Sequence, residues 1–244
     1  MLETMIAMML IDPFWWLMVP GLLLGIYAQI RLSSAYGRYI RQPAESGLSG
    51  AEAARMLLDS AGLQDVPVAM VPGELTDHYD PVKRALFLSE ANFRGRSIAA
   101  LGVAAHEAGH ALQHKAAYAP LQIRMMLVPA TNFASKAAFL ILGVGFVLTA
   151  IGFLSIGLFA KILPLAIGAY AVVTLFQLVT LPVEYDASRR AREHLVRAGV
   201  ISGREVGAVQ DVLNAAALTY VAALVTAVLE LVRLIMIARS LDDR

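Results

Sequence analysis

Two uncharged stretches, Ala137–Ala160 and Ile162–Val183, follow one another with Lys161 alone between them. Each has the roughly 20 apolar residues that a helix needs to cross the hydrocarbon core of a bilayer. Placed nearly back to back, they predict a transmembrane hairpin that turns near Ser155–Lys161. Two helices buried in a soluble core are the alternative, which needs a larger protein than a chain of 244 residues. Composition agrees with the bilayer. The chain is 58% hydrophobic and 16% charged, against about half and a quarter in an ordinary soluble domain.

Two further stretches extend the pattern. Phe14–Ile30 is free of charge and opens on Pro13, Trp15 and Trp16, which fits a membrane anchor with an interfacial aromatic belt. A cleaved signal peptide fits less well, because Met1–Asp12 lacks Lys and Arg and no small-residue cleavage site follows. In Val212–Ala238, Glu230 and Arg233 stand three apart on one helix face and can pair. Thr219, Thr226 and Arg233 recur every seven residues, a polar stripe that faces protein rather than lipid. A span packed on the others is favoured over a surface helix.

The layout is thus an anchor over residues 1–32, a polar region over 33–136, the hairpin over 137–183, a helix over 184–211, and a fourth span with its tail over 212–244. Within the polar region, Gly50–Ser60 reads as a helix stopped before Gly62. Val66–Val71 and Ala85–Leu88 read as short strands. Ser97 opens one long helix, SIAALGVAAHEAGHALQH. The fold class is therefore mainly α and membrane-integral, with about four transmembrane helices and a small α+β domain that carries this long helix.

That last helix carries His106-Glu107-Ala108-Gly109-His110. Residues four apart on an α-helix lie about 6 Å apart along the axis and about 40° apart in direction. Both imidazoles therefore face one ion, and the Glu between them is left to take a proton from water. This is the zincin arrangement. Zinc suits it, since it accepts nitrogen and oxygen donors, leaves a position for water and lowers that water's pKa toward about 7. The chain has no cysteine, so the ligands come from His, Asp and Glu. Two satisfied histidines on a buried helix are the bland reading. A ferritin-like di-iron site needs a second Glu-x-x-His, and the sequence has one.

The third ligand is less local. His114 lies about 12 Å along the axis from His106, too far to share an ion, and reads as a neighbouring or substrate-side residue. His78 and His194 remain possible ligands. Glu184 is better placed, because it follows the third apolar stretch directly and the hairpin returns it to the side of His106. A carboxylate at the edge of a membrane is costly, which favours a functional role over a solvated helix start.

Three blocks, LTDHYDPVKRALFLSE, SIAALGVAAHEAGHALQHKAAYAPLQIR and LPVEYDASRRA, resemble the YugP-like family of bacterial membrane zinc metallopeptidases, related in plan to the HtpX and CAAX-prenyl-protease gluzincins. The resemblance implies one Zn2+ per chain at His106, His110 and Glu184, with Glu107 as the general base of an integral membrane endopeptidase. In the prenyl-protease group an Asp four residues after the ligand Glu orients a zinc-bound histidine; here that slot is Ser188. Asp186 lies about 200° around the helix from Glu184 and does not simply replace it, so the partner that fixes the histidine tautomer is open. His78 or Tyr79 could stabilise a developing oxyanion, in competition with Arg189, Arg190 and His194.

The remaining expectations concern surroundings. Basic residues after the first span (Arg31, Arg38, Arg41) and after the third (Arg189, Arg190, Arg192, Arg197) place the catalytic side in the cytoplasm by the positive-inside rule, at the bacterial inner membrane. Arg239 and Arg244 weigh mildly against an exterior C-terminus. The net charge of +1 gives no attraction to nucleic acid. The expected substrates are proteins or peptides met at the lipid bilayer, taken with broad sequence preference, as a strand added to Ala85–Leu88 if that strand is an edge. A membrane partner protein that delivers or withholds substrate is a further expectation. The rival class is a membrane adaptor whose zinc is structural or whose catalysis is lost.

Overall fold

The structure is a computed structural model and describes residues 12–242. The prefix ahead of Asp12 and Arg244, both of which bear on orientation, lie outside the described residues. Four helical segments among those described are long and apolar enough to cross a membrane: Trp15–Tyr39, Ala119–Ala150, Ile156–Arg197 and Val206–Asp242. A three-stranded sheet completes a mainly α-helical membrane protein with a small α+β part.

In chain order the elements are α1 (Met18–Tyr39), α2 (Gly50–Ser60), β1 (Val68–Val71), β2 (His78–Asp80), β3 (Ala85–Ser89), α3 (Glu90–Phe93) and α4 (Ile98–Lys115). There follow α5 (Ala119–Phe139), a π-helical turn over Leu140–Val144, α6 (Gly145–Ala150), α7 (Ile156–Arg197) and α8 (Val206–Asp242). They form two compact units. One takes the described residues up to Ile26, Ile123–Thr180 and those from Val221 onward; the other takes Tyr27–Gln122 and Leu181–Tyr220.

In the first unit the hairpin reverses over 151–155, earlier than the charge pattern suggested. Gly152 supplies the left-handed turn with φ +76°, and the Ser155 hydroxyl accepts the Leu158 N–H at 3.2 Å to start α7. Lys161 therefore lies inside α7, because the turn follows local backbone chemistry rather than the position of the single charge. Phe159, Leu163 and Ala166 of α7 bury against Leu234 and Ile237 of α8. The Glu230–Arg233 pair forms as its spacing predicts, at 2.6 Å, and Arg233 also holds Asp12. Such pairing offsets the cost of charge inside an apolar bundle. A Cβ at Gly21 would fall 2.7 Å from the Thr226 hydroxyl, so that member of the polar stripe faces protein.

The second unit is built on α2, the sheet and α4. Ser49 and Glu52 close a capping box at the start of α2, which satisfies two of the helix's otherwise orphaned N–H groups. Leu57 and Leu58 are fully buried with Leu86, Leu88, Ile98 and Leu101; each such side chain stabilises the core by about 1.5–3 kcal/mol. The strand order is β1-β3-β2, with β1 parallel and β2 antiparallel to β3. The Ala85–Ser89 strand is thus central and paired on both sides, so it cannot accept a substrate strand. Its buried pattern is that of an interior strand, whereas β2, too short to stand out in the sequence, forms an edge.

The loop before β2 is anchored by one carboxylate. Asp77 accepts the Ser89 N–H at 2.8 Å and the Asn92 side-chain amide at 2.8 Å. Asn92 in turn accepts the Tyr36 hydroxyl at 3.0 Å.

Candidate metal centre

Ser97 caps α4 by accepting the Ala100 N–H at 3.2 Å, and the helix then runs unbroken through His106, Glu107 and His110. The i, i+4 spacing brings the two imidazoles together with ring centres 4.8 Å apart and planes at 84°. Glu184 enters from α7, its side chain almost wholly buried. One of its oxygens, Oε2, lies 3.1 Å from His106 Nε2 and 3.6 Å from His110 Nε2. All three donor atoms fall within 4.8 Å of one another.

The donor set fits zinc. Tetrahedral coordination with bonds of about 2.0–2.1 Å puts neighbouring donors about 3.3 Å apart, which the two nitrogen–oxygen separations bracket. Two imidazoles and a carboxylate leave a fourth position for water, as in sites of the His2Glu type.

Each imidazole is oriented through its other nitrogen. Ser188 Oγ lies 3.1 Å from His106 Nδ1, so the residue in the unusual slot meets the histidine it is placed to reach. His110 Nδ1 lies 3.0 Å from Gln113 Oε1. The Gln113 amide donates to the Val183 carbonyl at 2.8 Å and to Asp186 Oδ2 at 3.0 Å. A proton on each Nδ1, shared with that oxygen, would leave both Nε2 lone pairs for a metal ion. Asp186 does not touch His106; it acts on His110 at one remove. A glutamine at this position carries no motif of its own, and the only sequence signal for its role is its place three residues after His110, on the same helix face.

Glu107 is also buried, and its Oε2 accepts the backbone N–H of Tyr79 at 3.0 Å. Tyr79 and Leu86 face one another in the β2–β3 ladder, and the Leu86 N–H goes to Pro67 on the far side. The Tyr79 amide correspondingly points off the outer edge of β2, onto the helix. Its hydroxyl lies 2.9 Å from His114 Nδ1. Burial pushes the Tyr79 phenol up from its ordinary range, so it keeps its proton there.

The other candidates sit apart. His78 is exposed, stacked on Phe87, with Nδ1 2.8 Å from the Thr76 carbonyl oxygen. Arg189 and Arg190 both bind Asp186, Arg190 at 2.6 Å. His194 follows Glu184 by ten residues on α7, about 15 Å farther along the axis. Gly109, inside the motif, is required by packing: a Cβ there would fall 2.5 Å from the Ala187 carbonyl oxygen of α7.

A family model described as "Putative neutral zinc metallopeptidase" matches residues 14–239. The chain belongs to this zinc metallopeptidase family. It is also 44% identical over 224 residues, 92% of this chain and 96% of the relative, to the protein named "Putative membrane protease YugP" of Bacillus subtilis (strain 168). No solved structure matches it. Membership makes the chain a membrane protease with zinc as its cofactor, and the His106, His110 and Glu184 group is able to hold that ion.

Proposed function

We propose that the protein is a zinc-dependent endopeptidase in which His106, His110 and Glu184 hold the metal and Glu107 is the general base. The observation that carries this reading is the convergence of both Nε2 atoms on one buried Glu184 oxygen, with Glu107 next in sequence. Bound zinc supplies Lewis-acid polarisation of the scissile carbonyl and a more acidic water. The Tyr79 N–H fixes one oxygen of Glu107, which leaves the other to take the proton of the attacking water. Glu107 then passes that proton to the departing amide nitrogen. Ser188 and Gln113 keep the imidazoles from turning during the reaction.

The substrates are proposed to be membrane proteins or their juxtamembrane segments. Glu184 follows an uncharged stretch on a single unbroken helix, so one of its metal donors is tied to a membrane span. With β3 paired on both sides, an extended segment would lie along β2, whose outward Tyr79 N–H is already given to Glu107 and takes no part in the pairing. In cells, the Glu107→Gln variant is expected to co-purify with membrane proteins that a His106→Ala control does not retain. Recovery of soluble peptides alone would contradict this substrate class.

The catalytic side is proposed to face the cytoplasm of the bacterial inner membrane, on the distribution of arginines around the spans. A phosphatase reporter fused at residue 90 should then be inactive, and one inserted at residue 153 active. Export of the residue-90 fusion would reverse the orientation.

A further inference from the structure

Beside the candidate metal centre is a cavity of about 140 Å³ in which His106 and Glu107 form part of the wall. Its other walls are mostly apolar. Val103 comes from α4, three residues before His106 and so on the same face. Val212, Ala216 and Tyr220, spaced by four along α8, supply a second stripe. Leu32 of α1 closes a third side.

Away from His106 and Glu107, the polar groups of Asp77 and Tyr36 are already engaged. Asp77 is taken up by Ser89 and Asn92, and the Tyr36 hydroxyl donates to Asn92. What the cavity offers an incoming group is therefore chiefly apolar surface. A cavity of about 150 Å³ lined by Leu, Ile and Phe accepts a benzene molecule. The volume here thus matches one leucine or phenylalanine side chain.

The rim carries an independent sign. Leu75 lines the cavity, is 49% exposed, and holds φ +52°, a left-handed conformation that a non-glycine residue rarely adopts. Neither the exposure of a large apolar side chain nor the backbone strain is explained by packing of the second unit's core. Strained residues of this kind cluster at ligand clamps and active sites. Leu75 thus presents apolar surface to the cavity at its solvent-facing side.

We propose that this cavity is the subsite that receives one apolar substrate side chain, of leucine or phenylalanine size, next to the scissile bond, with Leu75 as its roof. The proposal rests on the peptidase reading, and it narrows an otherwise broad specificity at one position. Acidic side chains are excluded by Glu107 and Asp77. Asp77 is already hydrogen-bonded, and a basic side chain could reach Glu107 only at the oxygen that the attacking water uses, which would block turnover.

The test separates binding from turnover. Detergent-solubilised full-length protein carrying Glu107→Gln is titrated with fluorescent peptides that differ only in a central Leu, Phe, Gly or Lys. The Leu and Phe peptides should bind about 10-fold or more tighter than the Gly peptide, as expected for burying such a side chain. Adding Ala216→Phe, which fills the cavity, should collapse the Leu-to-Gly ratio toward one. Adding Leu75→Asn should also lower it, since Asn tolerates the left-handed conformation but removes the apolar roof. Zinc content and thermal unfolding establish that each variant is folded; if Ala216→Phe is not, Leu75→Asn decides. An unchanged ratio in the folded variants, no preference at all, or a preference for Lys would overturn the subsite. A persistent ratio with no turnover by the wild type would instead overturn the peptidase reading and leave the subsite standing.

Discussion

Replacing Glu107 by Gln should lower kcat/KM by about 10²–10⁴-fold while one zinc per chain is retained. Glutamine has nearly the same shape, and its carbonyl oxygen can still accept the Tyr79 N–H that the carboxylate accepts at 3.0 Å. What it loses is the capacity to take a proton from water. The same variant discriminates the rival function. An adaptor with a structural His2Glu site has no use for a base between its histidines, so its partner binding would be indifferent to the change. Equal peptide hydrolysis by wild type and variant would rule out the proposed mechanism. His106→Ala, by contrast, should lose zinc and hydrolysis together.

Gly109→Ala should damage the site without touching a ligand. In an ordinary helix interior this change stabilises, by about 0.5–1 kcal/mol. Here the added Cβ would lie 2.5 Å from the Ala187 carbonyl oxygen and 3.1 Å from its carbon. These are backbone atoms, so α4 and α7 must separate instead of a side chain swinging aside. Overpacking of this kind costs about 1–3 kcal/mol, and Glu184 stands one turn before Ala187 on the helix that is displaced. Zinc affinity, read by chelator competition, should fall by about 10-fold or more, in the range found when the supports of metal ligands are lost. Gly168→Ala is the control, since nothing lies within 4 Å of a Cβ there. Gain of stability and unchanged zinc affinity in Gly109→Ala would show that the close approach of the two helices does not set the site.

Both predictions depend on features of differing legibility. The histidine pair was readable because an i, i+4 relation is wholly local and survives any tertiary arrangement. The helices over Gly50–Ser60 and from Ser97 were readable for the same reason, through their caps. Glu184 became a candidate through its position after a span, and Ser188 because it fills the slot where the related prenyl proteases carry an Asp. The histidine supports were only half visible. Ser188 meets His106, but the His110 contact runs through Gln113 to a carboxylate that helix geometry alone had set aside.

Strand order was not readable, because it depends on pairings between separate segments. Ala85–Leu88 reads as a strand from its sequence but not as the central one, while the three residues of β2 form the edge that reaches Glu107. The contact itself uses a backbone N–H, which no residue type announces. The apolar cavity is invisible for a like reason: Leu32, Leu75, Val103 and Ala216 meet only once four separate segments have folded.

Zinc K-edge X-ray absorption on the purified protein addresses the metal centre itself. The predicted spectrum is that of one zinc per chain with two imidazole nitrogens and carboxylate or water oxygens at about 2.0–2.2 Å, and no sulfur, since the chain has no cysteine. Glu184→Ala should weaken or empty the site, and His110→Ala should remove one imidazole from the shell or empty it. Protein that is active without zinc, or a zinc shell unchanged by either substitution, would contradict the assignment of His106, His110 and Glu184 as the metal centre.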